Sequence, residues 1–172
     1  MPFTPYHFGP SAFIGLVFRK WIDIPVFILA NVVVDVEVLV VGILGLGWPI
    51  HRYCHTLLIG AAVGALWGIA AYRLRHLFRG AMNLLDIPYR TSIRKMVISG
   101  VLGVWLHVLI DGAYHFDVKM FWPSKSMWLW LKLHRRIGQG QMKLICLALF
   151  VAACILYLLS VKVFRRNLAE AK

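Results

Sequence analysis

His107, Asp111 and His115 stand four residues apart in the apolar stretch GVWLHVLIDGAYHF, residues 103–116. On a helix that spacing puts them on nearly one face, so two imidazoles and a carboxylate form a single polar stripe. His51 and His55 repeat the spacing in HRYCHT, at the mouth of another apolar segment. Asp35 and Glu37 lie inside a third, NVVVDVEVLV, and His7 lies in the N-terminal TPYHFGP. Imidazole nitrogens joined by one or two carboxylates are the ligand set expected for zinc, iron or manganese. Ionisable groups are costly inside apolar spans, and a bound divalent metal would offset that cost. A lone intramembrane His or Asp is as often just hydrogen-bonded across helices. The combination of HxxxH, HxxxD and Asp-x-Glu is what favours metal.

Those residues need elements to hold them. The chain has 172 residues, 60% of them hydrophobic and only 15% charged, with a mean hydropathy of +0.74. Soluble domains hold roughly 45–50% apolar residues, so the composition is that of a membrane protein. The expected fold class is all-α: a polytopic membrane bundle of four or five helices plus an interfacial amphipathic helix. One domain spans 1–172, with a metal-site core at 1–125 and the interfacial and C-terminal transmembrane helices at 126–172.

Residues 1–10 hold three prolines and read as an extended, turn-rich segment. Residues 11–20 read as a short helix opened by Ser11. Residues 25–47 are long enough to cross a bilayer, with a break near Asp35 as one way to bring its acids to the site. Spans follow at 56–72, rich in small residues that permit close packing, at 96–112 and at 144–161. Residues 80–92 read as a polar connection, 116–126 as a loop, and 127–137 as the interfacial helix, where tryptophans sit beside basic residues.

If 56–72 and 96–112 are antiparallel, the start of one lies beside the end of the other, and the two polar pairs meet at one level. The basic residues flank the spans. With the 73–95 loop, Arg19, Lys20 and 162–172 on one side, twelve of the nineteen Lys and Arg fall there. The rule that such residues stay cytoplasmic turns the histidine-rich side outward. The net charge of +12 is accounted for in this way, and no nucleic-acid partner is expected. Membrane lipids are the expected surroundings.

The remaining candidates are weaker. His76 and His134 lie in basic surroundings and read as solvated or headgroup-facing. Arg52, between two histidines, is a candidate to bind an anionic substrate oxygen, or else an interfacial anchor. Asp117 is placed to orient a histidine from behind. Trp122, Trp128 and Trp130 read as interfacial belt residues. Cys54, Cys146 and Cys154 form no CxxC pair, so neither a disulfide framework nor a zinc knuckle is expected.

The ordered set TPYHFGP, VVVDVE, HRYCHTLL, HVLIDGAYH and FWP, across about residues 1–125, resembles the membrane-bound metal-dependent hydrolase family. These are small bacterial and archaeal inner-membrane proteins, more distantly similar to zinc-dependent phospholipase C and the single-strand-specific nucleases. The resemblance implies His7, Asp35, His51 or His55, His107, Asp111 and His115 as metal ligands, zinc as the metal, and a multi-pass protein of the inner membrane. No later HxxxE helix completes a third zinc site, so two ions are favoured within a range of one to three.

The resulting expectation is metal-assisted hydrolysis of a phosphoester or lipid-linked substrate near the outer membrane interface. Asp35 or Asp111 would bridge metals, and whichever of Asp35 and Glu37 is not a ligand would act as general base. The alternative is a transporter or metal-ion carrier using the same cluster, against which the lack of an inverted repeat argues. A third reading is a non-enzymatic organiser holding structural metal.

Overall fold

The computed structural model describes residues 5–47, 49–124 and 137–170, in which there are six helices and no strand. They are α1 (Pro5–Val17), α2 (Ile24–Ile43), α3 (Leu57–Arg73), α4 (Arg75–Leu84), α5 (Ile93–Tyr114) and α6 (Gln139–Glu170). Three begin on a side-chain cap that satisfies an otherwise orphaned backbone N–H. Asp23 accepts from Val26 at 3.4 Å, Thr56 from Ile59 at 3.2 Å and Ser92 from Lys95 at 3.2 Å. The all-helical expectation holds.

α2, α5 and α6 are each long and apolar enough to cross a membrane. α3 qualifies only together with α4, from which it is bent by 77°. α1, at 13 residues, rises only about 20 Å, short of the roughly 30 Å hydrocarbon layer. Leu39, Ile43, Leu58, Leu66, Leu109 and Leu147 all point outward, which suits a lipid environment. Among the described residues three helices are long and apolar enough to cross a membrane, or four if the bent pair counts as one, which is the pattern of a membrane protein. Most of the expected interfacial helix, 127–137, lies outside the described residues.

Lipid does not drive helices together by apolar burial, so packing depends on how closely backbones approach. α3 and α5 run antiparallel, and their small residues form the seam. A Cβ on Gly64 would come within 2.6 Å of the Gly100 carbonyl oxygen, and one on Gly60 within 2.9 Å of the Val104 side chain. α2 closes over the pair. Val34 packs with Val104 and Val108, and the Trp67 indole donates to the Val26 carbonyl at 2.9 Å. α6 rests on α1, where Gly9 lies against the carbonyl of Cys146.

Four local expectations are corrected. The proline-rich start is helical from Pro5, with Pro10 inside the helix. Proline suits a first helical turn, where its missing N–H has no partner to lose. Ser11 is no cap. It is buried and accepts from the Asn31 side-chain amide at 2.9 Å. The 80–92 connection is partly occupied by α4, which runs to Leu84 before the turn begins. The segment holding Asp35 is one unbroken helix.

Candidate metal centre

The centre lies where the C-terminal half of α2, the loop entering α3 and the last turns of α5 meet. Asp35 comes from α2, His107 and Asp111 from α5, and His55 from the residue before the Thr56 cap. That loop is fixed from both sides. The Leu57 N–H donates to the Met120 carbonyl at 2.9 Å, joining the start of α3 to the chain beyond α5. The Trp105 indole donates to the Leu57 carbonyl at 2.9 Å.

Four ligand atoms converge, one each from Asp35, His55, His107 and Asp111, all within 4.8 Å of one another. His107 Nε2 is 3.0 Å from Asp111 Oδ2 and 3.2 Å from Asp35 Oδ1. His55 Nε2 is 3.5 Å from Asp35 Oδ1 and 3.7 Å from Asp111 Oδ2. Around a tetrahedral ion with bonds of about 2.0–2.1 Å, neighbouring ligand atoms sit about 3.3–3.4 Å apart. The observed separations bracket that value.

The hydrogen-bond inventory separates this group from an ordinary polar cluster. His55 and His107 are fully buried, yet neither Nε2 has a hydrogen-bond partner. Buried polar atoms are nearly always paired, so two orphans aimed at one point need an explanation. Two neutral imidazoles and two carboxylates also balance a divalent cation, the condition for burying charge. These residues fit a metal. The donor set suits several divalent ions and does not single out zinc.

Behind His55 stands Glu37. Its carboxylate accepts from His55 Nδ1 at 3.0 Å and from the backbone N–H groups of Arg52 at 3.1 Å and Tyr53 at 2.8 Å. It also accepts from the Cys54 N–H at 3.0 Å. The bond to Nδ1 leaves His55 Nε2 for the shared point. Glu37, expected as a candidate general base, has its oxygens occupied in shaping the HRYCHT loop. Burial chiefly, and the Glu37 charge after it, push the Cys54 thiol up to about 11.

The other expected ligands surround this point. His7 reaches in from α1, its Nε2 3.0 Å from Asp111 Oδ1 and its ring stacked on His107 at 4.3 Å. His51, His115 and Asp117 form a second group whose ligand atoms lie within 4.8 Å of one another. Asp117 Oδ2 accepts from His51 Nδ1 at 2.9 Å and from the His51 N–H at 3.2 Å. His51 Nε2 then faces Asp111 Oδ2 at 3.8 Å. Burial works against the Asp117 charge, but the bond from His51 outweighs it and holds the carboxyl below its usual range. His115 caps α5. Burial pushes its imidazole down to about 4 against the pull of Asp111, so it keeps a lone pair at neutral pH.

Arg52 sits at the mouth, but its Nε and Nη2 donate to the carbonyls of Pro49 at 3.1 Å and Leu46 at 2.7 Å. It anchors the loop while its charge faces an open cleft of about 350 Å³, lined also by His51, Asp117, Lys119 and Trp122. Lys119 was not anticipated; its place two residues before FWP gave no periodic signal. His76 is exposed, and His134, Trp128 and Trp130 lie outside the described residues.

No family model, curated protein or solved structure matches this chain.

Proposed function

We propose that the chain is a membrane-embedded metal-dependent hydrolase acting on a phosphoester or lipid-linked phosphate, with zinc favoured and two ions at the paired groups. The observation that carries the reading is the convergence of Asp35, His55, His107 and Asp111 with two buried imidazole nitrogens lacking any hydrogen-bond partner. The resemblance of the ordered motifs to the membrane-bound metal-dependent hydrolases points the same way. A divalent cation held there would supply a Lewis acid and bring the pKa of a bound water toward neutrality.

The chain's own residues do the rest. Asp35 keeps 23% of its side chain exposed, against 3% or less for the other three members, and so faces the accessible side. Glu37 and Asp117 fix the orientation of His55 and His51 from behind. Arg52 and Lys119 place positive charge along the adjoining cleft, which favours an anionic substrate. His115 lies beside His51 at a ring separation of 4.5 Å and completes the second group with Asp117. The cluster lies toward the end of α5, which supports hydrolysis at an interface over passage through the bilayer.

The test uses the full chain purified in mild detergent. Metal analysis should return one or two tightly held divalent ions, and the protein should cleave bis-nitrophenyl phosphate or release phosphate-bearing headgroups from vesicles. His107→Ala should lose both. A stable protein that takes up no zinc, manganese or iron would sink the proposal. Metal uptake into proteoliposomes without hydrolysis would transfer the cluster to the carrier reading.

A further inference from the structure

A second polar region occupies the opposite end of α5. There an open cleft of about 510 Å³ is lined by Arg19, Lys20, Arg90, Thr91, Ser92 and Lys95, together with Pro88, and by no acidic residue. The lining comes from two distant pieces of chain, the α1–α2 connection and the approach to α5. Lys95 ties them together, its ammonium donating to the carbonyls of Arg19 at 3.0 Å and Arg90 at 3.1 Å. The buried acid behind the wall is Asp23. Its Oδ2 accepts from the Tyr89 hydroxyl at 2.9 Å and from the Thr91 hydroxyl, so it turns inward.

Four cations gathered round a concavity repel one another, and scattered solvated lysines would not need the Lys95 strap. The first turn of α5, capped by Ser92, opens beside the same space and adds its positive dipole end. The cleft lies at the end of a helix long and apolar enough to span a membrane, where lipid headgroups would meet it. Basic pockets in that position recognise phosphate.

We infer that this cleft binds a phosphate-bearing anion, presented either by an acidic phospholipid headgroup or by a free phosphate ester. The site is separate from the metal centre and stands whether or not the hydrolase reading does.

The experiment measures retention of phosphatidylglycerol and of phosphatidylcholine by the full chain in native mass spectrometry, with glycerol phosphate as competitor. Wild type should retain phosphatidylglycerol preferentially. Each cation removed should weaken retention roughly fivefold, so Arg19→Gln with Arg90→Gln should cost about 25-fold and Lys20→Gln about fivefold. The thermal unfolding midpoint of the double variant in detergent, compared with wild type, checks that the bundle is intact. If that variant does not fold, the exposed Lys20→Gln decides. Competition by millimolar glycerol phosphate would assign the site to a free ester, and its failure to compete would assign it to the lipid. Equal retention of the two lipids without glycerol phosphate binding would overturn the inference. So would retention unchanged in the cation variants, or lost with His107→Ala instead.

Discussion

α5 carries buried polar groups at both ends, and the two ends solve the burial problem differently. At its start, Asp23 is surrounded by donors: the Val26 N–H, the Tyr89 hydroxyl and the Thr91 hydroxyl. Ser99, nearly two turns into the helix, accepts from the Asp23 N–H at 2.7 Å and donates to the Lys95 carbonyl at 2.7 Å. Polar atoms there find partners within the protein. At its end, His55 and His107 present nitrogens that nothing satisfies, 3.0–3.7 Å from carboxylate oxygens. Burial alone does not mark a binding site. A satisfied network stabilises the bundle, whereas unsatisfied atoms aimed at a common point hold a place for something else.

The comparison breaks most sharply at His107. His107→Ala removes a first ligand and should lower metal affinity by more than the roughly 10–100-fold typical of outer partners, read by metal analysis and competition with a chelator. If metal content is unchanged, the two ends of α5 are alike and both are structural. Glu37→Gln comes next. The amide keeps the shape but sets an NH₂ among donors that now meet a carboxylate, so His55 loses its orienting bond. Metal affinity should fall about 10–100-fold, and Glu37→Asp, which keeps the charge, should recover part of it.

Much of this centre was legible in the sequence. The spacing of His107 and Asp111 required only helical periodicity, and the glycine seam of α3 and α5 supplies the antiparallel pair that sets the loop holding His51 and His55 beside them. Those two lie in a loop and His115 at the extended cap, so their spacing is not a helical one. Asp117 behind His51 could likewise be read from its place just past the stripe. Glu37 could not, because its role depends on three backbone N–H groups of a loop whose shape no pattern predicts. The start of α1 differs from the expected one for a different reason. Prolines were taken as breakers, although Pro5 occupies the first turn, where proline is tolerated. Asp23 left a readable trace that went unused: an Asp two residues before Pro25 is a helix-start signal.

The satisfied end should respond to substitution in stability instead of metal content. Asp23→Ala removes a cap and strands two partly buried hydroxyl donors, so unfolding in mixed detergent should come about 1–3 kcal/mol sooner. Metal content should stay at the wild-type value. A fall in metal with Asp23→Ala would show that the ends communicate through α5. Gly64→Ala probes that link directly, since the new methyl would press on the Gly100 backbone. Overpacking of this kind costs about 1–3 kcal/mol, and some metal should be lost with it, because α3 carries the His55 loop.

The gentlest test is pH. In the metal-free protein burial works against a charged His55, but the neighbouring Asp35 and Glu37 carboxylates and the charge of Asp111 outweigh it and raise its pKa above the ordinary 6.5. A folded-state pKa above the unfolded one means that the folded chain binds the extra proton. Its contribution to stability is fully present below about pH 6.5, the unfolded value, and is lost as pH rises through the folded pKa. Metal-free protein should therefore become less stable as pH rises across that window. A bound cation requires the deprotonated imidazole, so metal affinity should increase over the same window. Opposite slopes for metal-free stability and metal affinity, measured by denaturant titration and chelator competition, are expected of wild type. His55→Gln should flatten this contribution to both, while Asp23→Ala should leave it in place. Parallel slopes in wild type would mean that the unpartnered nitrogens of His55 and His107 do not meet at an ion.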